Sequence, residues 1–377
     1  MRLSVLGLRD FRNLGSQDLE IPPEGVAIIG DNAQGKSNLL EAIYYLETFR
    51  SFRGARDDQL VAFGEDVFRI AGSVEDGGGR GSSRSEEVAA AFQRRGRRKK
   101  VTLDGREPDR LGEALGRLAA VIFSPADVEL VSGGPVERRR FLDIVLSLNE
   151  EGYLTALQDY KRVLSRRNAA LKDGQWGAAV GAWDPGLVRA GAQVMRARHC
   201  WIARQSDAFG AYYARVADEG DARMEYRPNV RLGTDASVES IESSFREALA
   251  TSCERERRLG STIVGPHRDD LLLRLERDAA GGLDLREYGS GGQRRTAALA
   301  LRLVEASTIR EARGRRPLIL LDDVFAELDA GRSERVLHMM EAEETGQVVL
   351  TAPRDDDVRI RKDTLPRWSI VGGRIST

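Results

Sequence analysis

Eight consecutive residues near the start of the chain, Gly30-Asp31-Asn32-Ala33-Gln34-Gly35-Lys36-Ser37, read G-x-x-x-x-G-K-S. This pattern is built to hold phosphate. The glycines let the backbone wrap an anion, and N–H groups at the start of a following helix face the negative charge. Lys36 can reach the β- and γ-phosphates of a nucleoside triphosphate, and the Ser37 hydroxyl can ligate magnesium. A second element, Asp322-Asp323, ends the apolar run Leu318 to Leu321. Asp322 stands where a carboxylate holds magnesium, and Asp323 where one orients or deprotonates an attacking water. Alone, two aspartates after an apolar strand say little. Paired with a phosphate loop they complete a triphosphatase site. A third element, Ser290-Gly291-Gly292-Gln293, opens a long helical pattern. Such a turn either caps its helix or leaves N–H groups and a hydroxyl free for an anion.

The elements that must position these groups are legible around them. Val26 to Ile29 reads as a buried strand before the phosphate loop, and Asn38 to Phe49 as a helix after it. Residues 3 to 8 and 17 to 21 alternate as strands around Asp10-Phe11-Arg12-Asn13. Phe68 to Val74, Glu87 to Phe92 and Val101 to Leu103 continue the strand signal, with a Gly-rich hairpin tip at Gly77 to Ser83. From Pro135 the period changes to helical. Val136 to Leu148, Tyr153 to Leu171, Leu187 to Val216 and Val238 to Leu259 read as amphipathic helices. Strands return at Leu271 to Leu275 and Leu283 to Tyr288, around a hairpin at Ala280-Gly281-Gly282. A helix over Arg294 to Arg313, the acidic strand, a helix over Arg332 to Glu343 and a strand at Val348 to Leu350 follow. The expected fold is α/β: an ATPase head with mixed β-sheets, assembled from residues 1–134 and 260–377, and an inserted helical domain at 135–259.

Composition sets outer limits. No apolar run approaches the roughly 20 residues that span a bilayer, so no membrane partner is expected. Arg9 and Asp10 arrive too early for a signal peptide. Two cysteines cannot make a disulfide framework, which suits a reducing cytoplasm. Three scattered histidines give no zinc spacing. The formal net charge of −1 means that any DNA-binding surface must be local.

The order of the three motifs resembles ABC-type ATPases, in which the Ser290 segment would be the signature and Ala326-Glu327-Leu328-Asp329 the D-loop. Lys36 and Ser290 stand about 250 residues apart with the helical block between. That is the layout of SMC-like repair and chromosome-maintenance ATPases, and not of transporter subunits. A transporter would also carry His where this chain has Thr351. Further stretches resemble the RecF family of bacterial recombination mediators. They are Asp10 to Asn13, Gly30 to Tyr44, Ser51-Phe52-Arg53, Gly133 to Asp143, Lys161-Arg162, Arg166 to Leu171, Gly265 to Leu271 and Asp322 to Asp329.

The resemblance implies ATP and Mg²⁺ as cofactors, with slow ATP hydrolysis. It implies an ATP-dependent homodimer, duplex and gapped DNA as ligands, and RecR with RecO as partners in loading RecA. Carried over residue by residue, Gly30 to Ser37 and Asn38 would hold the triphosphate, and Arg12 and Asn13 would line the nucleotide. Ser37 and Asp322 would serve the metal. Lys36, Asp322 and Asp323 would act in hydrolysis, with Ser290, Gly291, Gly292 and Gln293 acting in trans. Asp329 would cross the dimer seam. The second acid is Asp323 where many ABC ATPases have Glu, which fits slow turnover, and Val121 stands where relatives place a Q-loop glutamine. For DNA, Arg50, Arg53, Arg56 and the run Arg94 to Lys100 are the candidates. Arg138 to Arg140 and Arg166-Arg167 are expected to pair with acids, and His267 to be structural. The alternative class is an ABC-headed nuclease of the overcoming-lysogenization type, which needs an acidic metal domain. Only about 50 residues follow Asp323.

Overall fold

The computed structural model describes residues 1–75, 85–175, 177–217, 220–233, 235–276, 282–342, 346–361 and 364–377. The expected hairpin tip at Gly77 to Ser83 and residues 280–281 of the second hairpin lie outside them. In chain order the strands and helices begin with β1 (Arg2–Arg9), β2 (Gln17–Glu20), β3 (Gly25–Ile29), α1 (Lys36–Thr48), β4 (Val67–Glu75), β5 (Ser85–Gln93), β6 (Arg98–Leu103) and β7 (Ala120–Phe123). The middle of the chain holds α2 (Glu129–Ser132), α3 (Pro135–Asn149), α4 (Tyr153–Lys172), α5 (Ala178–Gly181), α6 (Asp184–Ala217), β8 (Asp221–Arg227), α7 (Val238–Leu259), β9 (Asp270–Glu276), β10 (Leu283–Asp284), α8 (Leu285–Tyr288) and α9 (Gly291–Arg313). Then come β11 (Leu318–Asp322), α10 (Ala330–Ala342), β12 (Val348–Ala352), β13 (Arg367–Val371) and β14 (Arg374–Ser376).

These elements form two compact units, residues 1–127 with 305–377, and residues 128–304. The first unit holds two sheets. One is antiparallel, in the order β2-β1-β4-β5-β6, and the other runs β14-β13-β3-β12-β11-β7. In the second sheet every pairing is parallel except β13 with β14. Helix α1 is buried nearly all round, its polar Lys36, Glu41, Glu47 and Thr48 included. Leu39, Leu40, Ile43, Tyr45, Leu46 and Phe49 share one core with Leu3, Leu6, Phe68 and Ile70 of the first sheet and Ile28, Ile122, Leu320 and Val349 of the second. The helix that starts at Lys36 is thus fixed from both sides.

The second unit differs from the expected helical block. Its core joins α4, α6 and α7 through Tyr160, Leu187, Val188, Met195, Ile241, Phe245 and Leu249. It also contains a sheet, β10-β9-β8. Strand β8 alternates as strands do: Ala222 and Met224 are buried, and Asp221, Arg223 and Glu225 are exposed. The unit therefore runs past the expected boundary at 259 to Val304. The cause is pairing. Strand β9 lies antiparallel to β8, and Arg138 grips Asp270 with two bonds of 2.8 and 2.9 Å. Leu283 to Tyr288 is also only partly strand. Asp284 accepts the Arg286 N–H at 2.8 Å and starts the short helix α8 instead.

Candidate nucleotide-binding site

The phosphate loop leaves β3 and turns sharply into α1. Gly35 has φ of +114°, and an added Cβ would lie 2.9 Å from Asn13 Oδ1. At Gly30 a Cβ would meet the Ile370 carbonyl oxygen at 2.6 Å. Both positions therefore require glycine. No side chain caps the start of α1, and its first turn contains no acid. The first N–H groups of the helix are left for an anion. Lys36 is only 4% exposed. Its Nζ donates to the carbonyl of Gly30 at 2.7 Å and lies 3.9 Å from Asp323 Oδ2. A buried ammonium held by carbonyls gains from a phosphate beside it.

Strand β11 pairs with both β12 and β7, and its end delivers the acidic pair to the same place. Ser37 Oγ donates to Asp322 Oδ1 at 2.7 Å. Burial pushes the Asp322 carboxyl above its ordinary range, against the pull of the Ser37 hydrogen bond. The hydroxyl and carboxylate are hard oxygen donors, so they fit Mg²⁺. Among the described residues no group of three or more His, Cys, Asp or Glu could hold a metal ion. A site that takes much of its coordination from phosphate and water needs no such group. Asp323 adopts φ of +47°, and its N–H donates to Thr351 Oγ1 at 3.0 Å. That hydroxyl lies 3.2 Å from Asp322 Oδ1 and 3.3 Å from Asp323 Oδ1. Thr351, noted in the sequence only for not being His, joins both carboxylates.

A polar chain extends from the loop. Asn13 Nδ2 donates to the Gln34 carbonyl at 3.3 Å, Asn38 Nδ2 to Asn13 Oδ1 at 2.7 Å, and Arg53 to Asn38 Oδ1 at 3.1 Å. Arg53, expected among the DNA-facing residues, thus reaches the loop's rim. Arg12 is anchored differently. It grips the buried Glu41 with bonds of 3.0 and 3.1 Å, and Glu41 also accepts the Ser51 hydroxyl. The C-terminal hairpin completes the rim. The N–H groups of Gly372 and Gly373 donate to Gln34 at 2.6 and 2.9 Å. The roles of Glu41 and Gly372 carry no local sequence signal, because each depends on contacts distant in the chain.

The remaining candidates fall elsewhere. Ser290 lies in the second unit and is exposed. Its Oγ accepts the Gln293 N–H at 3.2 Å, while Gln293 Oε1 accepts the Ser290 N–H at 2.8 Å. This is a capping box, so the helix-cap reading of the segment is realised. Gly291 and Gly292 follow directly in α9. Asp329 accepts the Arg332 N–H at 2.9 Å and starts α10. The two D-loop residues before Leu328 have side chains outside those described. His267 has both nitrogens engaged: Nε2 at 3.0 Å from the Thr262 carbonyl and Nδ1 at 2.6 Å from Tyr160 Oη. The carbonyl can only accept, so the ring is the Nε2–H tautomer. Burial lowers its pKa to about 4, and it serves the packing of the second unit. Arg138 and Arg167 are buried and paired with Asp270, and with Asp184 and Glu256.

The two basic runs proposed for DNA come together in the first unit. Asp57 pairs with Lys99 at 2.7 Å, and Asp58 with Arg56 at 3.3 Å and Arg97 at 4.0 Å. Arg50, Arg53, Arg56, Arg95, Arg97 and Arg98 are exposed. Arg94 is committed to the carbonyls of Asp58, Val61 and Glu65, and Lys100 to Glu107.

Fold and site together define a phosphate-loop ATPase head of the ABC class. Residues 2–367 match the RecF/RecN/SMC N-terminal domain. A DNA replication and repair protein RecF from Synechococcus is 38% identical over 349 residues, covering 90% of this chain and 89% of the relative. A solved recombination mediator RecF with ATP superposes with a TM-score of 0.87 at 30% identity, covering 99% of this chain and 96% of that one. An Smc head domain from Pyrococcus furiosus shares the fold at a TM-score of 0.56 and 19% identity, covering 99% of this chain and 95% of that one. The chain belongs to the RecF family of DNA replication and repair proteins.

Proposed function

We propose that this chain is an ATP-dependent DNA clamp of recombinational repair. ATP binds on Gly30 to Asn38, beside Arg12 and Asn13, with Mg²⁺ on Ser37 and Asp322. The metal, when bound, offsets phosphate charge. Lys36 holds the β- and γ-phosphates, and Asp323 orients the attacking water. Asp323 is one methylene shorter than Glu, which suits slow hydrolysis. Ser290, Gly291, Gly292 and Gln293 present their helix start to the nucleotide of a second copy, and Asp329 lies at that seam. ATP then joins two copies and hydrolysis releases them. The joined pair holds duplex or gapped DNA on the arginine surface around Asp58 and works with RecO and RecR to load RecA.

The observation that carries the reading is the uncapped start of α1, with Lys36 buried beside it and Ser37 bonded to Asp322. The exposure of Ser290 supports the role in trans, in which a phosphate would take over the bonds of its capping box, and the basic surface supports DNA. The test is duplex binding at several salt concentrations, with and without ATP, alongside sedimentation. ATP should raise both DNA affinity and sedimentation coefficient, and Lys36→Met should abolish both responses with nucleotide binding itself. If ATP moves neither quantity in the wild-type protein, the clamp is refuted.

A further inference from the structure

Phe63 is 103% exposed, as open as in a free chain. It stands at the corner of a four-residue turn that is held by backbone hydrogen bonds. The Glu65 N–H closes the turn on the Ala62 carbonyl at 3.2 Å, and the Ala62 N–H is bound to the Asp10 carbonyl at 2.8 Å. Gly64 takes φ of +87°, a conformation that favours glycine. Below the turn, the buried side of Arg94 donates to the carbonyls of Glu65, Val61 and Asp58 at 3.0, 3.3 and 3.3 Å, and its N–H to that of Asp66 at 2.7 Å. Thus the backbone is fixed while the ring is kept in water. Exposing a whole phenyl ring forfeits its burial, so an apolar residue held this way is a candidate contact.

Its neighbours indicate what it contacts. The β5–β6 turn, closed by the Arg97 N–H on the Arg94 carbonyl at 3.2 Å, adjoins it through Arg94 and carries the exposed Arg95, Arg97 and Arg98. Glu65 and Asp66 are exposed on the Phe63 turn itself. They repel phosphate there and leave phosphate contacts to the hairpin arginines. A protein-binding aromatic is normally ringed by other contacts that exclude water. Here the turn offers Gly64, Glu65 and Asp66, and Val67, 41% exposed, is the nearest other exposed large apolar residue in sequence. A bare aromatic face beside arginines is the pattern that stacks bases and tracks a backbone. Paired bases inside a duplex show no free face.

We propose that Phe63 stacks on an unpaired nucleobase of a gapped or single-strand/duplex DNA held by Arg95 and Arg98. The inference rests on the DNA reading above and adds to it a reader of unpaired bases. Phe63 is fully exposed, so its replacement removes no buried packing and leaves the fold intact. The experiment uses the full chain with ATP and two DNAs: a blunt duplex, and the same duplex with a short gap containing 2-aminopurine. Wild-type protein should change the 2-aminopurine fluorescence on binding. Phe63→Ala should remove that change and weaken gapped-DNA binding about tenfold, the effect of losing one stacked base, with blunt-duplex affinity within twofold of wild type. Phe63→Trp should restore the fluorescence change. Arg95→Glu with Arg98→Glu should weaken both DNAs. If Phe63→Ala keeps wild-type fluorescence and gap affinity while the arginine variant loses both DNAs, stacking is overturned and the DNA surface stands. If the arginine variant also binds as wild type, the DNA surface itself is wrong and the proposal falls with it. A Phe63→Ala protein that keeps both DNA readouts and loses the RecR contact instead overturns stacking in favour of a protein anchor.

Discussion

At the scale of single residues, Thr351 has the most to explain. Its hydroxyl accepts the N–H of Asp323 and lies within 3.3 Å of a carboxylate oxygen of each aspartate. The one hydroxyl proton thus has both acids and the Leu321 carbonyl, at 3.4 Å, as acceptors, while the oxygen pins the left-handed turn at Asp323. Thr351→Val keeps the shape and removes the hydroxyl. We expect kcat for ATP hydrolysis to fall at least about tenfold, with ATP affinity within about threefold, and Thr351→Ser to recover most of the loss. Phosphate release and nucleotide titration would check it. Equal losses of kcat and binding, unrescued by serine, would assign Thr351 to packing alone. The loop and the acidic pair were legible in the sequence because their chemistry is local: two glycines, a lysine, a serine, and aspartates at a strand end. Thr351 and Glu41 were not, because their roles arise from partners 28 and 29 residues away.

At the scale of elements, α1 combines nucleotide chemistry with a costly interior charge. Glu47, fully buried near its end, accepts the N–H groups of Leu118 and Ala119 at 3.0 and 2.8 Å through one oxygen; the other oxygen has no hydrogen-bond partner among the described residues. Burial raises its pKa from 4.5 to about 7, although Arg313 and the two N–H groups oppose the shift. The folded state therefore binds the proton more tightly than the unfolded chain. Stability from this group is full below about pH 4.5 and is lost as pH rises through 7, by an amount on the order of 3 kcal/mol. Glu47→Gln should melt several degrees above wild type at pH 8 and within about a degree at pH 5. A constant difference at both pH values would show that Glu47 does not titrate in this window. Most elements were readable from period, including the four long helices and the strands of the first sheet. Strand β7 was missed, though it forms an edge of the central sheet, because its four apolar residues have no period and, unlike β3 and β11, no motif at their end to mark them. Strand β8 was hidden by alternating charges inside a helical stretch.

At the scale of the whole molecule, Lys36 and Ser290 fall in different compact units. In the proposed dimer the Ser290 side serves a second copy. Ser290→Arg should leave ATP binding within about twofold and stop ATP from raising the sedimentation coefficient. A Ser290→Arg protein that still dimerises with ATP would remove the segment from the seam. The sequence made the order of these parts plain but misplaced their boundary, because nothing local tells that β9 answers β8. The central sheet also has a temporal side. Among the described residues strand β3, which carries the phosphate loop, is flanked by β12 and β13. On the ribosome those neighbours are made some three hundred residues after it. A nascent chain exposes β3 with both edges bare, a state that invites misassembly. Nucleotide binding cannot guide the early stages of folding, and a prematurely terminated chain lacks the strands that its own phosphate loop needs.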